Sequence, residues 1–552
     1  MNIMEKEKLM KINKGIKILI AFLTLIFTLI IIYINLRYYT TIRSAMSENI
    51  IFENSSLFNS ISFIFITVLF GIFLYIINKM SSKIKINKKV KKLILILAIL
   101  IYGILQVVWI NIRDANPNYD QFYVFDNAVK MSKGEEELID KEYLEMYPQQ
   151  ISLVSFYSVI LKLFNTENVK VLQYLNVLAN IFTVLGLYSI AKVIQNKENK
   201  LNLIAIFAVT LTFSAIMFLS TFIYGDIISL PFAIYSIYFV IKYIKENRCR
   251  YLLVSAILMC ISYFLRMNML IFFIAILIYL LLEFTKFINN LVKDKSLTKK
   301  LKIKNISLKV ALIVVFCIIS ILPTNLFKIF MQEQLNLNKN NSFPLIGFID
   351  LGLANSTRGP GWYVDPYVDT WRVDGHDTEP MKERINKKLE IFKEKPKILF
   401  EFYFFKIASM WGENSFGSIW YNLSFNFGNM SVNKGTASEQ EIENYEKVDN
   451  IINKNYSFIM VYDKIIILLI FISVLLFILR NKDISNEQIL LILIFVGGFL
   501  FHIIWEAKSR YILPYVIILI PIMAIGIDGN IKWIKEKIEG NIKYIKGKIN
   551  NK

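Results

Sequence analysis

Cysteine and histidine are nearly missing from this chain of 552 residues, which has three of the first (Cys249, Cys260, Cys317) and two of the second (His376, His502). The cysteines fall in or beside apolar segments with no CxxC spacing and no Cys/His cluster, which excludes a disulfide framework and a structural zinc site. Two histidines also exclude a His-rich metal centre. Charge is scarce at 19% of residues, against about 25% in a soluble domain. No internal repeat or inverted duplication is found, which weighs against a secondary transporter. What the chain does have is apolar residues, 55% of the total, gathered into blocks of roughly 20 that contain almost no charge. That distribution excludes a soluble enzyme, a disordered chain and a secreted disulfide scaffold. The net charge of +20 is then a matter of membrane topology, and no nucleic-acid partner is expected.

A spanning helix needs about 20 apolar residues to cross about 30 Å of hydrocarbon. Segments of that kind are 15–37, 57–78, 92–112, 168–194, 202–222, 226–244, 250–265, 267–286, 309–329, 457–480, 487–505 and 511–528. The first is too long in its apolar run, and lacks the small-residue site, for a cleaved signal peptide. The run from Tyr251 to Phe284 has basic residues on both sides, among them Arg248 and Arg250 before it and Lys286 and Lys293 after it. As one helix it would be about 51 Å long, so it is read as two crossings that turn at Arg266. Residues 79–92 hold seven lysines and no acid and are cytoplasmic by the positive-inside rule, as are the N-terminus, the 193–201 loop and the tail. The loop 113–150 holds nine acids and four bases and is external, as is the longer 330–456.

The expected fold is an all-α polytopic membrane protein with about twelve spans and two structured external loops. Its parts are a membrane module 1–329, an external loop domain 330–456, C-terminal transmembrane helices 457–528 and a tail 529–552. The apolar stretches 151–164 and 398–410 are too short to cross and suit re-entrant or interfacial helices, the second carrying Glu401 and Lys406. In the tail Ile531, Ile534, Ile538, Ile545 and Ile549 recur at helical spacing between lysines, as in an amphipathic helix on the anionic inner leaflet. Localisation is expected in a cell membrane with both termini inside.

Long structured loops carry function more often than they merely connect, so chemistry is expected at the outer face. Asp120 and Asp126 share the predicted helix 120–132 but sit about 120° apart on it, so only one of them faces a given site. A single positioned carboxylate suits a general base; both residues also read as solvated acids. Asp226 lies at a tight external turn, Arg266 at another, and Glu506, Lys508 and Arg510 at the top of the last two spans. Each alone reads as an interface anchor. Together they place acids and cations where a phosphate-bearing lipid head would sit, and Arg266 and Arg510 have the planar fork that phosphate prefers. The stretch NSTRGPGWYVDPYVDTWRVDGHDTEP suits sugar binding and an ordinary packed loop equally. His376 between Asp374 and Asp377 reads as surface, and the Asn-x-Ser/Thr matches at Asn355 and Asn422 carry no weight.

The order of these pieces resembles a known family. An early span is followed by NPNYDQFYVFDNAVKM and YPQQISLVSFYSVILKLF, then a YGD turn, an LRMN turn, a late outer loop ending KIASMW, and WEAKSRYILPYVIILIP at the final helix pair. This layout is similar to bacterial members of the GT-C superfamily, membrane glycosyltransferases related to glycosyltransferase family 39 and the protein mannosyltransferases. The resemblance implies that Asp120 matches the family's catalytic base or metal-associated acid. The usual Asp-Glu pair is here Asp120-Gln121, which departs from a two-carboxylate or metal role. Tyr147-Pro148 matches the segment that opens the re-entrant helix, and Arg510-Tyr511 the late Arg-Tyr near the lipid phosphate.

The reaction so implied is an inverting transfer from a polyprenyl-phosphate sugar to a hydroxyl on a glycan, lipid or protein. Asp120 is the expected base, with Asp126 and Asp226 as secondary acids. Arg266, Arg510 and Lys508 are the expected phosphate ligands, and Tyr119, Tyr147, Pro148, Trp362, Glu506 and Tyr511 the cleft. No cofactor and no metal ligand is assigned. The competing readings are a flippase or transporter of lipid-linked glycans, which fits poorly with uncharged span centres, and a glycan polymerase or ligase.

Overall fold

The computed structural model describes residues 3–43, 48–83, 87–114, 116–196, 200–294, 296, 298–423, 439–481 and 483–550. It opens with α1 (Ile3–Arg37), an antiparallel hairpin of β1 (Tyr38–Arg43) and β2 (Asn49–Asn54), α2 (Leu57–Lys83) and α3 (Lys88–Arg113). Three helices then fill the first long loop: α4 (Asp120–Lys133), α5 (Lys141–Met146) and α6 (Ile151–Phe164). The bundle continues through α7 (Lys170–Ile194), α8 (Leu203–Thr212), α9 (Ser214–Phe218), α10 (Asp226–Glu246), α11 (Cys249–Leu265), α12 (Leu270–Lys293) and α13 (Lys299–Gln334). The second loop holds α14 (Leu345–Leu353), α15 (Asp365–Val373), α16 (Glu379–Glu394), α17 (Pro396–Trp411) and α18 (Ser418–Leu423). The chain closes with α19 (Glu439–Arg480), α20 (Asn486–Ile504), α21 (Ser509–Ile517) and α22 (Ile520–Asn550).

Among the described residues nine helices are long and apolar enough to cross a membrane, or up to eleven spans if each of two bent pairs counts as one. The shorter apolar α11 coincides with the remaining predicted segment. The chain is therefore an all-α polytopic membrane protein. The run from Tyr251 to Phe284 is two helices and not one: α11 ends and the backbone becomes extended at Arg266, against the start of α10, while the far end of α12 meets α1 through Asn13 and Thr285. Between spans, where lipid tails give no hydrophobic drive to associate, polar contacts act as specific glue. Ser236 and Ser255 hydrogen-bond across α10 and α11 at 3.0 Å, and Ser262 donates to the Ser229 carbonyl at 2.9 Å. Phe65 on α2 and Val314 and Ile318 on α13 are exposed, as befits helices whose outer faces meet lipid tails.

Several boundaries differ from expectation. Residues 439–456, expected in the external loop, are helical and continuous with the span below them in α19; residues 424–438 of that loop lie outside the described residues. The segment 202–222 is bent by 46° at Phe213, where Asp463 accepts from Ser214 N (3.3 Å) and Ser214 Oγ (2.5 Å) and so satisfies the start of α9. The last predicted span, 511–528, is bent by 52° after Pro514, and the tail is no separate helix but the continuation of α22. The one proline of α22, Pro521, stands in its first turn, where it costs no hydrogen bond. At Gly529 the Arg480 guanidinium packs against the helix in the space a Cβ would take. Ile534, Ile538 and Ile545 are exposed on the extension, while the side chain of Ile549 lies outside the described residues. The sheet was not expected at all, although YYTTIR and NIIFEN are rich in β-formers.

The two long loops and the hairpin form one cap at one end of the bundle. Phe343 N donates to the Met146 carbonyl at 3.0 Å, Asn338 N to Glu145 at 2.8 Å, and Arg372 pairs with Glu142 at 3.0 Å. Ile50 N in β2 donates to the Arg358 carbonyl at 2.9 Å. Lys406, on the stretch expected to be a re-entrant or interfacial helix, is fully buried in α17. Its ammonium donates to the carbonyls of Gly352 (2.5 Å), Ile503 (2.9 Å) and Trp505 (2.9 Å). Two helix C-termini, those of α14 and α20, thus converge on one cation, and their partial negative charge offsets part of the cost of its burial. Burial still lowers the Lys406 pKa from 10.5 to about 7, against the upward pull of Glu506.

Candidate active site

The YGD turn is built by glycine. Gly225 has φ +87°, and a Cβ there would collide with the Leu265 carbonyl, so only glycine brings the start of α10 against the end of α11. Asp226, first residue of α10, therefore faces Arg266, first residue beyond α11. Arg266 Nη2 lies 3.2 Å from Asp226 Oδ1, and Arg510 Nη1, from the start of α21, lies 2.6 Å from Asp226 Oδ2. Arg266 Nη1 also donates to the Tyr224 carbonyl at 3.3 Å. The Arg510 guanidinium sits 4.1 Å from the Phe222 ring centre and 5.1 and 5.3 Å from those of Tyr224 and Tyr421. Two cations share one carboxylate, so the cluster keeps a net positive charge. Nε and Nη2 of Arg510 and Nε of Arg266 have no hydrogen-bond partner among the described residues.

Gly225→Ala is expected to lower the thermal unfolding midpoint in detergent. The left-handed backbone alone costs a side chain about 1–2 kcal/mol, and relieving the clash moves Arg266 away from Asp226. An unchanged midpoint would show that the turn tolerates a side chain and does not set the pair.

Asp120 opens α4, and its charge reaches Tyr224. Its carboxylate is exposed and has no hydrogen-bond or ion-pair partner among the described residues. The residue before it, Tyr119, holds φ +48°, a strained value for a bulky side chain, and stacks on Trp420 with ring centres 5.0 Å apart. The residue after it explains the departure from an Asp-Glu pair. Gln121 accepts from Ile223 N at 2.8 Å and donates to Asn118 Oδ1 at 3.0 Å, two bonds that an amide makes together and an ionised carboxylate cannot. Gln121 thereby ties the start of α4 to the YGD turn.

Four tyrosines feel the Asp120 charge, one from α5 and three from the connections after α5, before α10 and before α15. Tyr143 and Tyr224 meet hydroxyl to hydroxyl at 3.2 Å, Tyr147 and Tyr363 at 3.5 Å. Burial raises the pKa of all four above the usual 10.0, and the Asp120 carboxylate adds to the rise in each, so all lie within reach of its charge. Pro148 opens the turn that leads into α6, and α6 packs against α4 and α11 beneath this group.

Glu506 and Lys508 lie between α20 and α21, and both feel Asp120. Burial pushes the Glu506 carboxyl from 4.5 to about 7, opposed by Lys508 and aided by Asp120 and Glu48. Lys508 Nζ is 3.0 Å from Glu48 Oε1, which also accepts from the Tyr421 hydroxyl at 3.2 Å. Because the fold raises the Glu506 pKa, the stability associated with its proton is fully present below pH 4.5 and is lost as pH rises to about 7. Over that interval the wild type should lose about 3 kcal/mol relative to Glu506→Gln. Thermal midpoints of the two proteins measured across it check this; parallel curves would refute it.

The remaining predicted residues fall elsewhere. Asp126 is paired with Lys130 at 2.6 Å on the same helix, a surface ion pair apart from the cluster. Trp362 is 1% exposed, its Nε1 donating to Ser409 Oγ at 2.8 Å, so its ring packs α17 and presents no face for a sugar. Tyr511 has its ring centre 5.6 Å from the Arg266 guanidinium. Asn422 is fully buried and accepts from Trp109 Nε1 at 2.8 Å, which removes it from consideration as a surface acceptor. His376 packs on Trp371 at 4.6 Å. Glu48, Tyr224 and Tyr421 were not found from the sequence, because nothing local marks an acid or a tyrosine as reaching another loop. No group of three or more His, Cys, Asp or Glu among the described residues is placed to hold a metal ion.

No curated protein and no solved structure matches the chain. Residues 154–322 match the family model described as dolichyl-phosphate-mannose-protein mannosyltransferase. The matched stretch runs from α6 into α13 and supplies Asp226 and Arg266, whereas Asp120, Lys508 and Arg510 come from outside it. In this segment the chain is similar to that family, and the match supports a membrane glycosyltransferase of the GT-C type.

Proposed function

We propose that the chain moves a sugar from a polyprenyl-phosphate donor to a hydroxyl acceptor at the outer face of a bacterial plasma membrane, with inversion at the anomeric carbon and both termini in the cytoplasm. One observation carries the reading: the Asp120 carboxylate, which has no partner among the described residues, and a net-positive pair of arginines both act on the same residue, Tyr224. Its hydroxyl lies in the tyrosine group around Asp120, and its carbonyl and ring contact Arg266. A sugar on the tyrosines would place its anomeric carbon between base and cations.

The acceptor hydroxyl then attacks that carbon while its proton passes to Asp120. The new C–O bond forms as the bond to the phosphate oxygen breaks, and the departing polyprenyl phosphate takes the electron pair. Arg266, Arg510 and Lys508 meet the charge that grows on it, already oriented by Asp226 and Glu48, so little reorganisation is needed at the moment of reaction. Asp226 itself is a poor base, since a guanidinium covers each of its oxygens.

The test supplies membranes containing the chain with a panel of radiolabelled polyprenyl-phosphate hexoses and their native acceptors. The expected result is release of lipid phosphate and label in an acceptor. Donor moved across the membrane unchanged would establish the flippase reading instead, and use of long glycan chains alone would establish a ligase.

A further inference from the structure

The hairpin between the first two spans reaches into the cleft through one residue. Glu48 lies just before β2, is 6% exposed, and accepts from both Lys508 Nζ (3.0 Å) and the Tyr421 hydroxyl (3.2 Å). Its own place is set from several sides. Lys464 of α19 donates to the Tyr38 carbonyl in β1 at 2.8 Å, Ile50 N binds the Arg358 carbonyl at 2.9 Å, and β1 pairs with β2 from Tyr38–Asn54 to Arg43–Asn49. Lys508, by contrast, stands on extended backbone just before α21, at the end of a flexible four-carbon stem. Tyr421, the other partner of Glu48, lies against the guanidinium of Arg510 at 5.3 Å and within 5.9 Å of the Lys508 ammonium.

We propose that Glu48 is a positioning residue of the phosphate site, holding the Lys508 ammonium beside Arg510 so that an incoming phosphate meets two cations already in place. The inference rests on reading Lys508 and Arg510 as phosphate ligands. It makes a prediction opposite in sign to plain electrostatics. Removing the negative charge of Glu48 makes the cleft more positive and, by charge alone, would tighten the binding of an anion. If Glu48 acts by position, the same change frees Lys508 and weakens binding.

The experiment titrates decaprenyl monophosphate into the purified full-length chain in detergent micelles by calorimetry. Glu48→Gln is expected to raise Kd about tenfold, or about 1.4 kcal/mol, with Lys508→Gln weakening it to a similar degree. The double variant is expected to bind no worse than Lys508→Gln alone, because Glu48 acts only through that ammonium. Glu48→Gln binding as tightly as the wild type or tighter, while Lys508→Gln binds less, overturns the role of Glu48 and leaves the phosphate site standing. No binding by the folded wild type, or undiminished binding by Lys508→Gln, overturns the phosphate reading and the inference with it. Should Glu48→Gln fail to fold, the double variant removes both charges together and is compared with Lys508→Gln: equal affinity supports the proposal, weaker affinity refutes it.

Discussion

Replacing Asp120 by Asn is expected to reduce sugar transfer by about a hundredfold to ten-thousandfold while leaving the thermal midpoint where it was. Both halves of that expectation come from the same geometry. The carboxylate has no partner among the described residues and is exposed, so an isosteric amide takes nothing from the fold. It does remove the carboxylate that the proposed reaction uses as its base. The measurement compares transfer from labelled polyprenyl-phosphate hexose in membranes holding equal amounts of the two proteins. Transfer that survives the substitution would displace Asp120 as the base. Glu506 would then be the acid to examine next, since its pKa of about 7 lets it exchange a proton in that range.

Asp226→Asn is expected to behave in the opposite way, with a loss of about 3–5 kcal/mol of stability. The 2.6 Å contact with Arg510 and the 3.2 Å contact with Arg266 are both buried, and the substitution leaves two guanidiniums facing each other without a counter-charge. A pair of this kind adds little net stability over an apolar substitute, yet breaking it from one side is costly because the stranded charges stay buried. Thermal or denaturant unfolding in detergent reads the effect directly. A midpoint equal to that of the wild type would mean that water or lipid head groups already neutralise the arginines, and that Asp226 does not organise them. Side by side, the two aspartates separate chemistry from architecture: one substitution silences a fold that stays intact, the other loosens the fold itself.

Much of the architecture could be read from the chain alone because its determinants are local. Hydrocarbon thickness demands about 20 apolar residues per span, so each span shows itself without reference to any other. The lysines and arginines flanking 251–284 are local too, and they correctly required a reversal at Arg266. The short apolar run 151–164 was found to the residue as α6 for the same reason. Where a break depends on a distant partner, the same reading failed. The bend at Phe213 is held by Asp463, which is 249 residues from the Ser214 it bonds.

The site divides along the same line. Asp120, Asp226, Arg266, Lys508 and Arg510 could be named because each stands at a span end, where a charge in an apolar sequence is conspicuous. Their grouping could not. Arg510 is 284 residues from Asp226, and Glu48 lies at the opposite end of the chain from the lysine it holds. Lys406 shows the same limit, since its burial is tolerable only where two helix C-termini meet. By itself the sequence determined which segments cross the membrane and which charges gather at one face, because water and hydrocarbon act on each segment separately. The tertiary structure decided which of those charges neutralise each other and which, like Asp120, have no partner among the described residues, because a Coulomb partner is chosen by distance in space and not by distance along the chain.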